Sequence, residues 1–397
     1  MTEPNQREDA TEAGGGASGT PALPPRLALS LSGGGARGAY QAGVIRGLGR
    51  HFPDLHIPLL SGVSAGAINV VFLAAHPGPL GVAAEALASL WMSLEASKVF
   101  RVDASSLTRS FLRWVTRLAS GDAALAPEVK GLVDTRPLEA SINRSVPVVD
   151  GEIVGIGRSL DRGTLDAVAV TTLNYTTGQT ITWIQGRQFI PWNEPRRRSV
   201  AARLTVSHVM ASAALPLFFP AVRLGDDYHG DGGIRLSAPL APSLYMGATK
   251  ILAVSPRYEP SAQEAAGRKT EGYPPPAQIL SQVMSAVFLD ALDRDARQVE
   301  NLNRLLPLVP GRFHEDLRLV DLLVLRPSQD LGRLAGDYEA KLPKAFRHLT
   351  RSLGTRKTQS PDFLSFLLFQ PDYMKRLLDI GEADVEARIG EIRALVE

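Results

Sequence analysis

The 397-residue chain predicts an α/β fold built on a mixed, mostly parallel sheet. Two consecutive units read strand, tight glycine turn, helix, with no hairpin between them, as parallel strands require. The first is "LALSLSGGGARGAY", Leu27 to Tyr40; the second runs from Ile57 through "SGVSAG" into the apolar "AINVVFLAA". A third stretch, "LDAVAVTTLNYTTGQTITWIQG" from Leu165, carries β-branched and aromatic residues on both sides of "TTGQ", which adds an antiparallel hairpin.

Taken in order, residues 1–25 hold acidic, Gly, Ser and Pro residues without an apolar run, so a disordered tail is expected there, with neither a secretory signal nor an anchor. Residues 26–397 are expected to form one domain with a C-terminal helical extension. Leu27 to Leu31 is a strand; Ala39, Val44, Ile45 and Leu48 recur at helical spacing. Ile57 to Leu60 is the next strand. "RLTVSHVMASAALPLFF" starts as a helix that must stop before Pro216. "KILAVSP" and "LVDLLVL" are further buried strands, and Glu259 to Pro276 is a mobile surface loop ahead of a helix near Ala277. Asp362 to Glu397 is helical, with breaks at Pro371 and near Ile380-Gly381.

Composition narrows function. Lys+Arg 43 against Asp+Glu 41 is too balanced for general nucleic-acid binding. The absence of cysteine excludes thiolate metal sites and a cysteine nucleophile, and no His, Asp or Glu group stands at metal-ligand spacing, so no metal or other cofactor is expected. No run reaches the length of a transmembrane helix, which points to a cytoplasmic protein or one peripheral to a membrane.

Gly33, Gly35 and Gly38 fit G-x-G-x-x-G, the spacing of a dinucleotide-binding turn. That fold also needs an acidic residue ending the second strand, and Asp54 precedes "IPLL" instead. After that strand stands Gly62-Val63-Ser64-Ala65-Gly66, a G-x-S-x-G sequence between strand and helix, the context of a nucleophile elbow. The loop Gly33-Gly34-Gly35-Ala36-Arg37-Gly38 then reads as a source of backbone N–H donors for an oxyanion. Arg37 has two readings: support for the loop or attraction of an anionic substrate, and an ordinary solvated helix-start residue.

A serine needs a base. Of seven histidines, His51, His56 and His76 lie on connecting segments, His208 in a helical stretch and His229 in a glycine-rich turn; His314 and His348 come late, in an exposed turn and a charged helix. Asp231 in "YHGDGGIRLSAPL" is the better candidate, a carboxylate presented at a loop tip between Gly230 and Gly232-Gly233. An ordinary Asp-Gly turn is the plainer reading of the same residues.

"GGGARG", "GVSAG" and "DGG", in that order, together with "DTRPLEASI", "ASAALPLFFPAV" and "SFLLFQPDYMKRLLDIGEADV", resemble the patatin-like phospholipase family from about Leu27 to the C-terminus. Gly233 stands where many relatives have Ala. The resemblance implies a three-layer α/β/α serine hydrolase acting on lipid acyl esters without histidine. Ser64 would be the nucleophile, Asp231 its base, and Gly33 to Gly38 the oxyanion loop. An acyltransferase using the same acyl-enzyme and a catalytically silent lipid-binding protein are the alternatives.

A family of this kind must reach lipid. In "SLTRSFLRWVTRLASG", Leu107, Phe111, Trp114, Val115 and Leu118 share one helical face while Arg109, Arg113 and Arg117 stack on another. Peripheral membrane contact through Arg109, Arg113, Trp114 and Arg117 and burial of the apolar stripe in the core both fit that pattern. The "RRRS" cluster at Arg196 is a second basic feature, suited to lipid headgroups or to solvent. Nothing in the sequence fixes an oligomeric state.

Overall fold

The computed structural model describes residues 26–101, 131, 133–267, 272–310, 317–342, 347, 351, 354–355 and 362–397. The N-terminal tail, the Arg109–Arg117 segment, His314 and His348 lie outside the described residues.

The strands are β1 (Leu27–Leu31), β2 (Leu59–Val63), β3 (Val148–Val149), β4 (Glu152–Ile153), β5 (Ala167–Asn174), β6 (Thr180–Gly186), β7 (Asn193–Glu194), β8 (Arg197–Ala201), β9 (Val222–Leu224), β10 (Asp227–Asp231), β11 (Lys250–Val254) and β12 (Asp321–Leu325). The main sheet runs β12-β11-β1-β2-β5-β6-β8-β7, with β10 also on β5 and β9 on β10. From β12 to β5 every pairing is parallel, and the Leu165 stretch forms the antiparallel β5–β6 pair. β1, β2 and β5 are buried along their whole length, as parallel strands covered on both faces must be.

The helices are α1 (Gly38–His51), α2 (Ala65–Ala75), α3 (Leu80–Ser93), α4 (Ala96–Val99), α5 (Arg136–Ser145), α6 (Val154–Arg162), α7 (Val206–Ser212), α8 (Ala241–Tyr245), α9 (Ala262–Ala266), α10 (Pro276–Phe288), α11 (Asp290–Leu305), α12 (Leu331–Tyr338), α13 (Asp362–Leu367), α14 (Pro371–Ala387) and α15 (Ile389–Val396). They give the sheet two cores. Leu29, Leu31, Val168 and Val170 pack with α1, α2 and α14 on one face. Ala28, Leu59, Ala169 and Ile251 pack with Leu240, Leu292 and Val299 on the other. The result is a mixed, mostly parallel sheet between helical layers.

Three expectations change. The strand before the serine is Leu59–Val63, so Ser61-Gly62-Val63 belong to it and not to the turn. The Glu259–Pro276 stretch contains α9, started by a capping box between Ser261 and Glu264. The C-terminal helices do part at Pro371, which opens α14, but no break occurs at Ile380-Gly381; the helix continues to Ala387 and the bend falls at Arg388. Gly381 is a contact residue. A Cβ there would lie 2.4 Å from the Tyr40 carbonyl oxygen, and one at Gly43 would lie 2.2 Å from that of Leu378. The two glycines let α1 and α14 touch backbone to backbone.

This contact fixes the sign of a substitution. In a free helix Gly→Ala stabilises by about 1 kcal/mol. Here overpacking dominates, so Gly43→Ala and Gly381→Ala should each destabilise by roughly 1–3 kcal/mol, read by denaturant titration.

Candidate active site

Ser64 follows β2 and starts α2, with φ 57° and ψ −126°, a region that non-glycine residues avoid. Strain of this kind persists only where the surroundings enforce it. Gly62 and Gly66 allow the turn to close: a Cβ at Gly62 would meet the Gly66 carbonyl at 2.4 Å, and one at Gly66 the Leu31 carbonyl at 2.4 Å. The Ser64 N–H donates to Ser212 Oγ on α7 (2.9 Å), and Ser212 Oγ donates to the Thr171 carbonyl on β5 (2.7 Å). Ser212 is wholly buried, so this relay fixes the elbow backbone to the neighbouring strand.

Sheet register brings Asp231 to the same place. Along β5, Thr171 pairs with Val63 at the end of β2, and the next residue, Thr172, pairs with Asp231 at the end of β10. The two strand ends therefore meet head to head on one side of β5, uniting positions far apart in sequence. Asp231 is not at a loop tip; it ends a strand and is completely buried. The Gly233 N–H donates to its Oδ1 (2.8 Å). Burial raises the carboxyl pKa to about 7, with the Ser64 hydroxyl and the Gly233 amide pulling the other way. Asp231 Oδ2 is buried without a hydrogen-bond partner.

The glycine loop lies against the serine. A Cβ on Gly33 would be 3.1 Å from Ser64 Cβ and 3.7 Å from Oγ. Gly34 precedes a 3-10 turn, Gly35–Arg37, that leads into α1, and Gly35 has φ 56°. Gly33 and Gly34 N–H groups donate no hydrogen bond to any described residue. Arg37 is a support, not a solvated residue: its side chain is buried, donates to Ser365 Oγ (2.7 Å) and the Pro256 carbonyl (3.2 Å), and pairs with Asp362.

Four of the described histidines have other partners. His208 makes a capping box with Thr205, with its pKa pushed down to about 4 by burial. His229 lies in β10, not in a turn, and shares a hydrogen bond with Thr172 Oγ1 (3.0 Å). His51 faces Glu386, and His76 accepts from the Gly78 N–H.

Sequence reasoning missed Ser212 and Phe288. The Phe288 ring sits 2.7 Å from where a Gly233 Cβ would be and 3.8 Å from that of Gly33, between the glycine loop and the turn after Asp231. An Ala at 233 would push this ring, which accounts for glycine there. Neither residue carries a local sequence signal; "ASAALP" around Ser212 was visible only as a resemblance. Beside Ser64 an apolar pocket is lined by Trp91, Leu138, Leu215, Phe219 and Phe366, with about 30 Å³ free, room for one or two waters. A larger cleft of about 430 Å³ lies beyond Arg37 and Asp362, is lined by opposite charges, and does not include Ser64. The smaller pocket is the candidate because Ser64 lines it. Among the described residues no group of His, Asp or Glu side chains is arranged to hold a metal ion.

The family model described as patatin-like phospholipase matches residues 29–244. No curated protein matches this chain. Among solved structures the chain is similar to VipD from Legionella pneumophila, at 15% identity and TM-score 0.36, over 90% of this chain and 67% of that one. It is also similar to human GIVD cytosolic phospholipase A2, at 13% identity and TM-score 0.44, over 94% of this chain and 60% of that one. The chain thus spans about three fifths of the human protein's length.

Ser212→Ala leaves the Ser64 N–H buried without its acceptor and should lower stability by about 1–3 kcal/mol in denaturant titration. Asp231 gives a pH signature. Its folded pKa, about 7, exceeds the ordinary 3.8, so the folded state holds the proton longer and stability falls as pH rises from 3.8 to about 7. Asp231→Asn lacks this loss. The stability difference between variant and wild type should therefore move in the variant's favour by roughly 3–5 kcal/mol between pH 3 and pH 9.

Proposed function

The chain belongs to the patatin-like phospholipase family, whose model covers more than half its length, and on that premise we propose that it is a serine lipid acyl hydrolase working through a Ser64–Asp231 dyad. The carrying observation is the meeting of β2 and β10, which buries Asp231 beside a strained Ser64. Ser64 Oγ attacks the ester carbonyl carbon as its proton passes to Asp231, and the carbonyl oxygen takes the negative charge. Backbone N–H groups of the Gly33–Gly38 loop stabilise that oxyanion; each well-placed donor contributes about 3–4 kcal/mol to such a step. Collapse expels the alcohol, which takes the proton from Asp231 and leaves an acyl-Ser64. Asp231 then takes a proton from water, the resulting hydroxide equivalent attacks the acyl carbon, and the fatty acid departs as Ser64 recovers its proton.

A carboxylate with an ordinary pKa is a feeble base at neutral pH; one raised to about 7 is well matched to proton transfer there. The acyl chain is assigned to the apolar pocket, whose small free volume means that Leu215, Phe219 or Phe366 must move to admit it. Lipid would be met at a membrane surface, with the Arg109–Arg117 segment as a proposed contact; no helix among the described residues is long and apolar enough to cross a membrane.

A fluorophosphonate probe should label wild-type Ser64 and leave Ser64→Ala unlabelled, as read by intact mass. Hydrolysis of a p-nitrophenyl acyl ester should drop at least ~1000-fold in Ser64→Ala and Asp231→Asn, with circular dichroism preserved. The wild-type kcat/KM should rise with pH through about 7, as Asp231 loses its proton. Near-normal turnover in either variant rejects the dyad.

A further inference from the structure

We propose that the cleft lined by Arg196, Arg197 and Arg235 is a phosphate-binding site. The cleft has a free volume of about 180 Å³, and Thr180, Thr182 and Trp192 also stand in its wall. Pockets for whole drug-sized ligands run to about 300–1,000 Å³, so this one suits a single small group. No carboxylate is among the residues lining it.

The arginines are arranged for an anion. Glu194, outside the lining, holds Arg197 through two bonds, from Nε (2.8 Å) and Nη2 (2.7 Å). Arg197 also lies over the Tyr245 ring at 5.8 Å, and Tyr245 stacks on Trp192 at 4.5 Å. Arg235 donates from Nη1 to the Gly178 carbonyl (2.7 Å). Arg196 is exposed and makes no ion pair with any described residue. Glu194 offsets one of the three guanidinium charges and the Asp295 carboxylate also acts on Arg197, so the cleft keeps a net positive charge for a phosphate monoester, which carries about −1.5 to −2 near pH 7. Guanidinium groups match phosphate oxygens in pairs, while the Thr180 hydroxyl donates to the Arg235 carbonyl (3.3 Å) and so ties β6 to the turn that carries that arginine.

Its place in the fold gives the site a use. Thr180 pairs with Leu173 on β5, one residue beyond the Thr172 that pairs with Asp231. Arg235 ends the 3-10 turn that begins directly after Asp231. The cleft therefore opens at the end of the sheet that carries Ser64, on the α8 side, where a phosphate on a lipid surface or a free phosphate can be met. Occupancy does not depend on Ser64 chemistry.

The test uses the full chain carrying Ser64→Ala, so that binding is read apart from hydrolysis, with and without Arg196→Gln plus Arg235→Gln. Soluble glycerol phosphate is titrated by calorimetry, and flotation compares phosphatidylcholine vesicles with and without phosphatidic acid. The double substitution should weaken binding by roughly 25-fold, at about fivefold per arginine near an anionic surface, and added salt should weaken the parent's binding. Loss with both probes supports a site open to free phosphate; loss with phosphatidic acid vesicles alone supports a lipid headgroup as the ligand. The proposal is overturned if the parent binds neither probe, or if the double variant, folded by circular dichroism, binds as tightly as the parent.

Discussion

The glycine loop and the serine turn are joined through the side chain of Asn69. It lies on α2, one turn beyond Ser64, and is wholly buried. Its Nδ2 donates to the Gly38 carbonyl (3.1 Å) and to Gln41 Oε1 (3.0 Å), while its Oδ1 accepts from Trp91 Nε1 (2.7 Å). Gln41 Nε2 in turn donates to the Ser32 carbonyl (2.7 Å). A buried polar network with its members satisfied stiffens the elements it joins, whereas a missing member leaves costly unpaired groups. The segment 32–41 and the helix behind Ser64 therefore behave as one body, and the sheet needs only to bring Asp231 to it.

That arrangement concentrates unfavourable terms in a few residues. Ser64 keeps a strained backbone, Asp231 is a carboxyl removed from water, and Asp231 Oδ2 is unpartnered. Each destabilises the folded chain, and the surrounding cores offset them. Phe288 stands at the junction, its ring between Gly33 of the glycine loop and Gly233 of the turn after Asp231.

How much the sequence disclosed depended on how local each constraint is. The strand-turn-helix units were legible because a tight turn needs glycine within a few residues, and the β5–β6 pair because its turn separates two β-branched runs. Ser212 and Phe288 were not, since their roles exist only through contacts across the fold: Ser212 meets a backbone 148 positions away. Asp231 was legible as a carboxylate among glycines but not as a buried strand end, because its surroundings come from β5. Gly381 misled for a similar reason. Glycine ordinarily weakens a helix, and only the opposing α1 backbone explains why it is kept here.

Arg37 belongs to the first glycine turn of the chain, yet its partners Asp362 and Ser365 lie more than 300 residues later. Contacts this distant require the intervening chain to be brought together first, which delays them relative to local turns. Early in folding β1 and β2 have each other nearby, but the partners of the guanidinium are still distant. The Asn69 network can hold the loop beside Ser64 once residues 32–91 have come together, but the Arg37 anchor is added only after the C-terminal helices have docked, so a partly made chain carries the loop before it carries that second tie.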